Sequence, residues 1–414
     1  MDVAVRTIDE DDWPAVHRVV NTVFGHHGTP AHAAQEQELI PTGRVLAVVD
    51  DGAVVGTAAA YGFDLTLPGG TTVPAAGVTN VGVLPTHRRR GILRSLMDRQ
   101  LADVADAGEP LAILDASEAA IYGRFGYGLA SRYSCWRIPT AGTTFAVAPP
   151  DRRLRLVDQA DAVQAVAAAY EAARVVRPGA VTRPGTDDRP DRWHELLLTE
   201  PETETWKVGG RFMVVVADPV GDDPGGYALY RFEEGVSGAP GMTLAVRELV
   251  AATDDTAAAL WRYLLEVDLV AAVTAEVPVD GPLPWRLTDH RAVRVTEQRD
   301  YLFARVLDVP GVFAARRYAT ELDVVVEVHD DDRPAVAGRW RIEGGPDGAR
   351  CERAEGAEPD LVAGAGALGS LVLGDVRPSL LAAAGRLEVR PTAAARQADA
   401  ALVSARSPFC ATRF

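Results

Sequence analysis

VTNVGVLPTHRRRGILRSLM, residues 78–97, bears on the fold more than any other stretch of this 414-residue chain. It reads as a buried strand, a proline break, a basic turn closed by glycine, and an amphipathic helix. The strand ends at Val83 and Leu84, because Pro85 has no N–H to continue a ladder. Arg88, Arg89 and Arg90 fill the turn and Gly91 opens the helix, whose apolar face is Leu93, Leu96, Met97, Leu101 and Val104. The first turn of a helix leaves about four N–H groups unpaired and carries partial positive charge, so arginines there oppose the dipole. A bound anion reverses the penalty, since guanidinium groups and backbone donors then converge on phosphate. Gly91 removes a side chain where a phosphate would approach the backbone. Three arginines alone are as readily solvated surface charge; the complete order is what carries information. No G-K-[ST] follows, and the glycine spacing is not that of a dinucleotide fold.

The order V-x-V-x-P-x-x-R-R-x-G-I, residues 81–92, resembles the pyrophosphate-binding signature of the GCN5-related N-acetyltransferases (GNAT superfamily). That resemblance implies acetyl-CoA as co-substrate.

Length suggests two to four domains, and 47% apolar with 24% charged residues is ordinary for a soluble globular chain. There is no run of 18 apolar residues, and residues 1–6 lack the layout of a signal peptide, so the cytoplasm is the expected compartment. Cys135, Cys351 and Cys410 are few and far apart, and the eight histidines form no HxxxH or HExxH pair, so neither a disulfide framework nor a metal site is expected. A net charge of −16 argues against nucleic acid and favours cationic ligands. No membrane partner is expected.

Three parts follow one another: 1–148, 149–299 and 300–414. In the first, Asp11, Asp12 and Trp13 precede an amphipathic helix that runs through Val23 and Phe24, closes at Gly25 and leads into a loop from His26 to Pro30, with His32 placed in that same loop. Strand-like runs follow at 45–49, 54–61, 72–83 and 111–114, an order that suits an α/β or α+β sheet. Residues 116–128 read as a short helix and a glycine-spaced aromatic hairpin. In the second, a helix (158–174), a Pro/Gly-rich loop (177–190) and strands near 207–217, 226–232 and 243–250 precede a helix through 269. Thr253, Asp254 and Asp255 stand where the first part has arginines, and they would cap and neutralise the helix end but repel pyrophosphate. The reading is a second acetyltransferase-like fold that has lost its coenzyme site. The third part offers paired strands at 321–328 and 338–342, two short apolar helices within 359–389, and a strand after them. It resembles a sterol-carrier-protein-like α+β domain; by itself it would serve either lipid binding or packing and assembly.

Acetyl transfer from a thioester needs a polarised carbonyl, an unprotonated amine and a proton for the departing thiolate. The main chain of Val81, Gly82 and Val83 is expected to meet the carbonyl and the pantetheine arm. Tyr122, Tyr127 and Tyr133 are each candidates for the proton donor. A closer resemblance is carried by residues 81–97, by SEAAIYGRFGYG (117–128), by the two following domains and by the ending PFCATRF (408–414). Together they resemble the Eis (enhanced intracellular survival) family. That resemblance covers the whole chain, and implies acetylation of aminoglycoside amines in a ternary complex and a hexameric assembly. It implies Tyr122 as general acid and the carboxylate of Phe414 as general base. It implies coenzyme contacts at Val81, Gly82, Val83, Arg88, Arg89, Arg90, Gly91, Ile92, Leu93, Arg94, Ser117 and Glu118. An α-carboxyl of about 3.5 is a weak base for an ammonium group, and burial strengthens it; otherwise Phe409 and Phe414 merely dock the last domain. Arg413 departs from what a site for polycations would favour. Trp13, Phe24 and His26 are expected on the pocket wall. Lysine or peptide acetylation, and lipid or sterol binding by the third domain, are the alternatives.

Overall fold

In the computed structural model, which describes residues 4–25, 30–199, 212–234 and 241–414, the stretch 78–97 forms a strand, a break and a helix. The chain divides into two units: one runs up to Ser131 and includes Tyr301–Ala405 and Arg413–Phe414, the other comprises Arg132–Asp300 and Arg406–Thr412.

The first unit opens with β1 (Val5–Thr7), α1 (Trp13–Phe24), α2 (Pro30–Leu39), β2 (Val45–Asp50), β3 (Ala53–Thr66) and β4 (Thr72–Val83). It continues through α3 (Ile92–Asp106), β5 (Leu111–Asp115), α4 (Ala119–Tyr122) and β6 (Gly128–Leu129). Burying one face of α3 (Ile92, Leu96, Met97, Leu101 and Val104) fixes it against the sheet, with Leu93 half-buried at the edge. At roughly 1.5–3 kcal/mol for each fully buried large side chain, that face dominates the helix's stability. Two expectations need correction. Pro30 and His32 belong to α2 rather than to a loop, while residues 26–29 lie outside the described residues. No aromatic hairpin forms at 116–128: Gly123–Phe125 is a 3-10 turn, and β6 pairs far along the chain instead.

The second unit contains β7 (Arg132–Pro139), β8 (Leu154–Val157), α5 (Gln159–Arg174), α6 (Arg192–Leu198), β9 (Met213–Ala217) and β10 (Gly226–Glu233). Then come β11 (Met242–Ala251), α7 (Asp254–Leu265), β12 (Val270–Pro278), α8 (Leu283–Arg286) and β13 (Arg294–Asp300). Its sheet runs β13-β7-β12-β11-β10-β9-β8. Helix α7 stops four residues short of the expected 269, where Leu269 turns to φ 64° before β12. The expected strand near 207–217 is described only from Met213, since 200–211 lie outside the described residues. A buried polar cluster holds the strip Arg406–Thr412 to this unit. Arg183 donates from Nη2 to Glu248 Oε1 (2.6 Å) and from Nε to Thr412 Oγ1 (3.0 Å), and Tyr170 Oη lies 2.7 Å from the same hydroxyl.

Back in the first unit, β14 (Leu302–Val306) inserts between β5 and β6, giving the order β1-β2-β3-β4-β5-β14-β6. After α9 (Val309–Phe313) come β15 (Leu322–His329), β16 (Gly338–Gly345), β17 (Gly348–Arg353), β18 (Leu361–Gly364), α10 (Ala365–Leu371), α11 (Pro378–Ala383), β19 (Leu387–Val389) and α12 (Ala393–Ala401). The third sheet is β17-β16-β15-β18-β19, and β15 pairs antiparallel with β16, in line with the expected pairing of 321–328 with 338–342. Arg316 is wholly buried with no carboxylate partner among the described residues, and instead donates to the carbonyls of Leu371, Val372 and Leu402. Those carbonyls belong to the last residue of α10 and to the C-caps of α10 and α12, where a cation is favoured by the helix dipoles. Burial lowers its pKa to about 10. No helix among the described residues is long and apolar enough to cross a membrane.

Candidate active site

Strand β4 forks from β5. The parallel ladder joins Ala75, Ala76 and Gly77 to Leu111, Ala112 and Ile113, and stops there. On its other edge β4 stays paired to β3 as far as Val83, with a bulge where Asn80 and Val81 oppose Ala58. Asn80 takes φ 51° in that bulge, and Gln100 on α3 donates to the carbonyl of Ala59 (3.0 Å). A bulge bends its strand and raises the local twist, which carries Val81, Gly82 and Val83 away from β5. The opening is a cleft of about 590 Å³.

Eleven of the twelve expected coenzyme-contact residues line that cleft: Val81, Gly82, Val83, Arg88, Arg89, Gly91, Ile92, Leu93, Arg94, Ser117 and Glu118. Arg90 does not; its Nη1 lies 3.5 Å from Asp50 Oδ2, beside His87 Nε2 at 3.3 Å. Gly91 sits at φ 84° as the N-cap of α3, a left-handed conformation that disfavours any side chain, and the space around its missing Cβ is open. No side chain caps α3 and no acid occupies its first turn, so its backbone donors face the cleft unneutralised. Among the described residues Arg88 and Arg89 have no carboxylate partner. Arg94 lies 5.6 Å over the Phe125 ring and 3.7 Å from Asp332. The N-terminus of α7 is the opposite case. Thr253 caps it, Asp223 accepts from the hydroxyls of Thr253 (2.5 Å) and Thr256 (2.8 Å), and Arg152 pairs with Asp223. An anion finds that end filled.

Of the three tyrosines, only Tyr122 lines the cleft. Burial, reinforced by the charges of Asp115 and Glu118, raises its pKa to about 12. Tyr127 stacks edge-on to it at 5.9 Å but is fully buried, which pushes its phenol far up. Tyr133 lies on β7 in the other unit. The Phe414 ring packs edge-on to Phe63 (centroids 5.0 Å apart) and against Gly77, where any Cβ would meet Phe63 at 2.2 Å and Phe414 at 3.3 Å. Gly77 is the last β4 residue before the fork, so Phe414 sits at its base. Phe24 lines the cleft as expected. Trp13 does not: it is 1% exposed, stacked on His17 in the core. His26 lies outside the described residues. Val23, His87, Ile121, Arg124 and Phe125 also line the cleft and were not singled out from sequence. Arg124 had a signal, a cation directly between Tyr122 and the glycine-flanked aromatics.

Residues 4–130 and 185–306 match acetyltransferase (GNAT) domain families, and 309–411 match the sterol carrier protein domain. The chain is 36% identical to the N-acetyltransferase Eis of Mycobacterium tuberculosis, over 98% of each chain. It is 41% identical to an uncharacterized N-acetyltransferase of Streptomyces coelicolor, over 95% of this chain and 96% of that one. Among solved structures it superposes on Eis1 of Mycobacterium abscessus with a TM-score of 0.86 at 35% identity, over 99% of this chain and 100% of that one. With tandem GNAT folds, the second lacking the basic loop, and a sterol-carrier-like domain after them, this chain is an N-acetyltransferase of the Eis family.

Proposed function

We propose that the protein transfers the acetyl group of acetyl-CoA directly to an amine of an aminoglycoside-like or other cationic small molecule, both substrates being bound together. The observation that carries this reading is the forked cleft, with a basic loop at one end and a half-buried phenol, Tyr122, on its wall. Its shape and donor set fit CoA: a splayed strand for the pantetheine amides, and two cations without carboxylate partners among the described residues, beside a helix end capped by glycine, for the pyrophosphate. Acetyl-CoA, when bound, supplies the thioester carbonyl and a thiolate leaving group.

Val81, Gly82 and Val83 then orient the carbonyl through main-chain donors. Arg88 and Arg89 neutralise the pyrophosphate. Tyr122 holds its proton on Oη and delivers it to the departing sulfur. The carboxylate of Phe414 takes a proton from the substrate ammonium group, and the free amine so formed attacks the thioester carbonyl. Because burial disfavours tyrosinate, Tyr122 remains an acid until about pH 12. Wild-type kcat should therefore show no descending limb near pH 10, about where an unperturbed tyrosine titrates.

Tyr122→Phe should lower kcat by about 10²- to 10⁴-fold, the usual span for a lost general acid. CoA affinity, measured by calorimetry, should hardly change. A variant with wild-type kcat would remove Tyr122 from the mechanism.

A further inference from the structure

The last two residues straddle the fork. Phe414 rests on β4 at Gly77, while the Arg413 guanidinium lies 3.8 Å from Asp115, the final residue of β5. The same guanidinium covers the Tyr301 ring at 4.1 Å. Tyr301 is 1% exposed, its N–H donates to Ser131 O (3.0 Å), and it immediately precedes Leu302, the residue paired with Asp115 in the β5–β14 ladder. Both partners of Arg413 are thus fixed by the sheet. An ion pair at 39% and 42% side-chain exposure holds little by itself. A guanidinium stacked on a buried ring beside that pair is a far better-defined contact. Asp115 is also one of the charges acting on Tyr122, so the clasp closes on the same wall as the proton donor.

We propose that Arg413 is a positioning residue for acetyl transfer: clasped by Tyr301 and Asp115 on one arm of the fork, it holds the Phe414 carboxylate in place against the other. The residue that departs from an acidic acceptor pocket thereby has a task that needs its charge and its planar head. The inference rests on the reading of the Phe414 carboxylate as the base.

The test compares Arg413→Met, Arg413→Lys and Asp115→Asn in the full-length protein, each assayed for kcat, for KM of acetyl-CoA and for CoA affinity. A base displaced by about 1 Å costs on the order of 10²-fold, so Arg413→Met should lose about 10- to 100-fold in kcat. KM for acetyl-CoA and CoA affinity should stay at the wild-type values. Arg413→Lys should recover a substantial part of the rate, and Asp115→Asn should lose part of it. If Arg413→Met fails to fold, Asp115→Asn and Arg413→Lys carry the comparison. Wild-type kcat in Arg413→Met, or in Asp115→Asn where that comparison stands alone, overturns the clasp. So does a lysine variant as impaired as the methionine one. A chain extended by two residues past Phe414 separates the two ideas. If it turns over normally, the base reading itself is wrong; if it is inactive while Arg413→Met is fully active, only the clasp is.

Discussion

Two residues added after Phe414 should lower turnover by about 10²- to 10⁴-fold, the span expected for loss of a general base. The extension moves the carboxylate beyond the base of the fork, where the Phe414 ring lies against Phe63 and Gly77. Phe414 is not among the residues that line the cleft. CoA affinity should therefore survive, and the combination of intact binding with lost turnover is the diagnostic result. Normal turnover in the extended chain would return Phe414 to a packing role.

Arg89→Glu should raise the dissociation constant for CoA by about 100-fold or more. Each hydrogen bond to a charged group contributes about 1.5–3 kcal/mol, and reversing the charge replaces attraction by repulsion. Arg89 lines the cleft without a carboxylate partner among the described residues, so its charge is available to a phosphate. Arg90→Glu is the internal comparison: Arg90 leans on Asp50 outside the cleft lining, and its reversal should weaken CoA much less. Equal losses at both positions would mean that only the overall field of the loop matters. No loss at either would falsify the assignment of the basic turn to pyrophosphate.

Residues 78–97 could be read correctly because every local preference in them agrees: Pro85 stops the strand, Gly91 takes the left-handed cap, and the apolar spacing of α3 suits one buried face. Thr253 was legible for the same reason, as a cap with two acids behind it. What failed was non-local. Strand β14 joins the first sheet between β5 and β6, about 190 residues from one neighbour in sequence, and no local pattern announces such a pairing. Trp13 looked like a pocket aromatic because an amphipathic helix does not state which cavity its apolar face meets; it faces the core. Arg90 is chemically equivalent to its neighbours, and only the position of Asp50 separates it from them. Arg413 stood out in sequence as a misplaced cation, and only the fold supplies Tyr301 and Asp115 as its partners.

Amine acetylation in the forked cleft would be read as thiol release from acetyl-CoA. Kanamycin- and neomycin-type aminoglycosides, simple polyamines and a lysine peptide would be offered as acceptors in parallel. Rapid, saturable release with the aminoglycosides, reduced in Tyr122→Phe, is the predicted result. Release with none of these amines, from protein that demonstrably binds CoA, would contradict the proposed acceptor class.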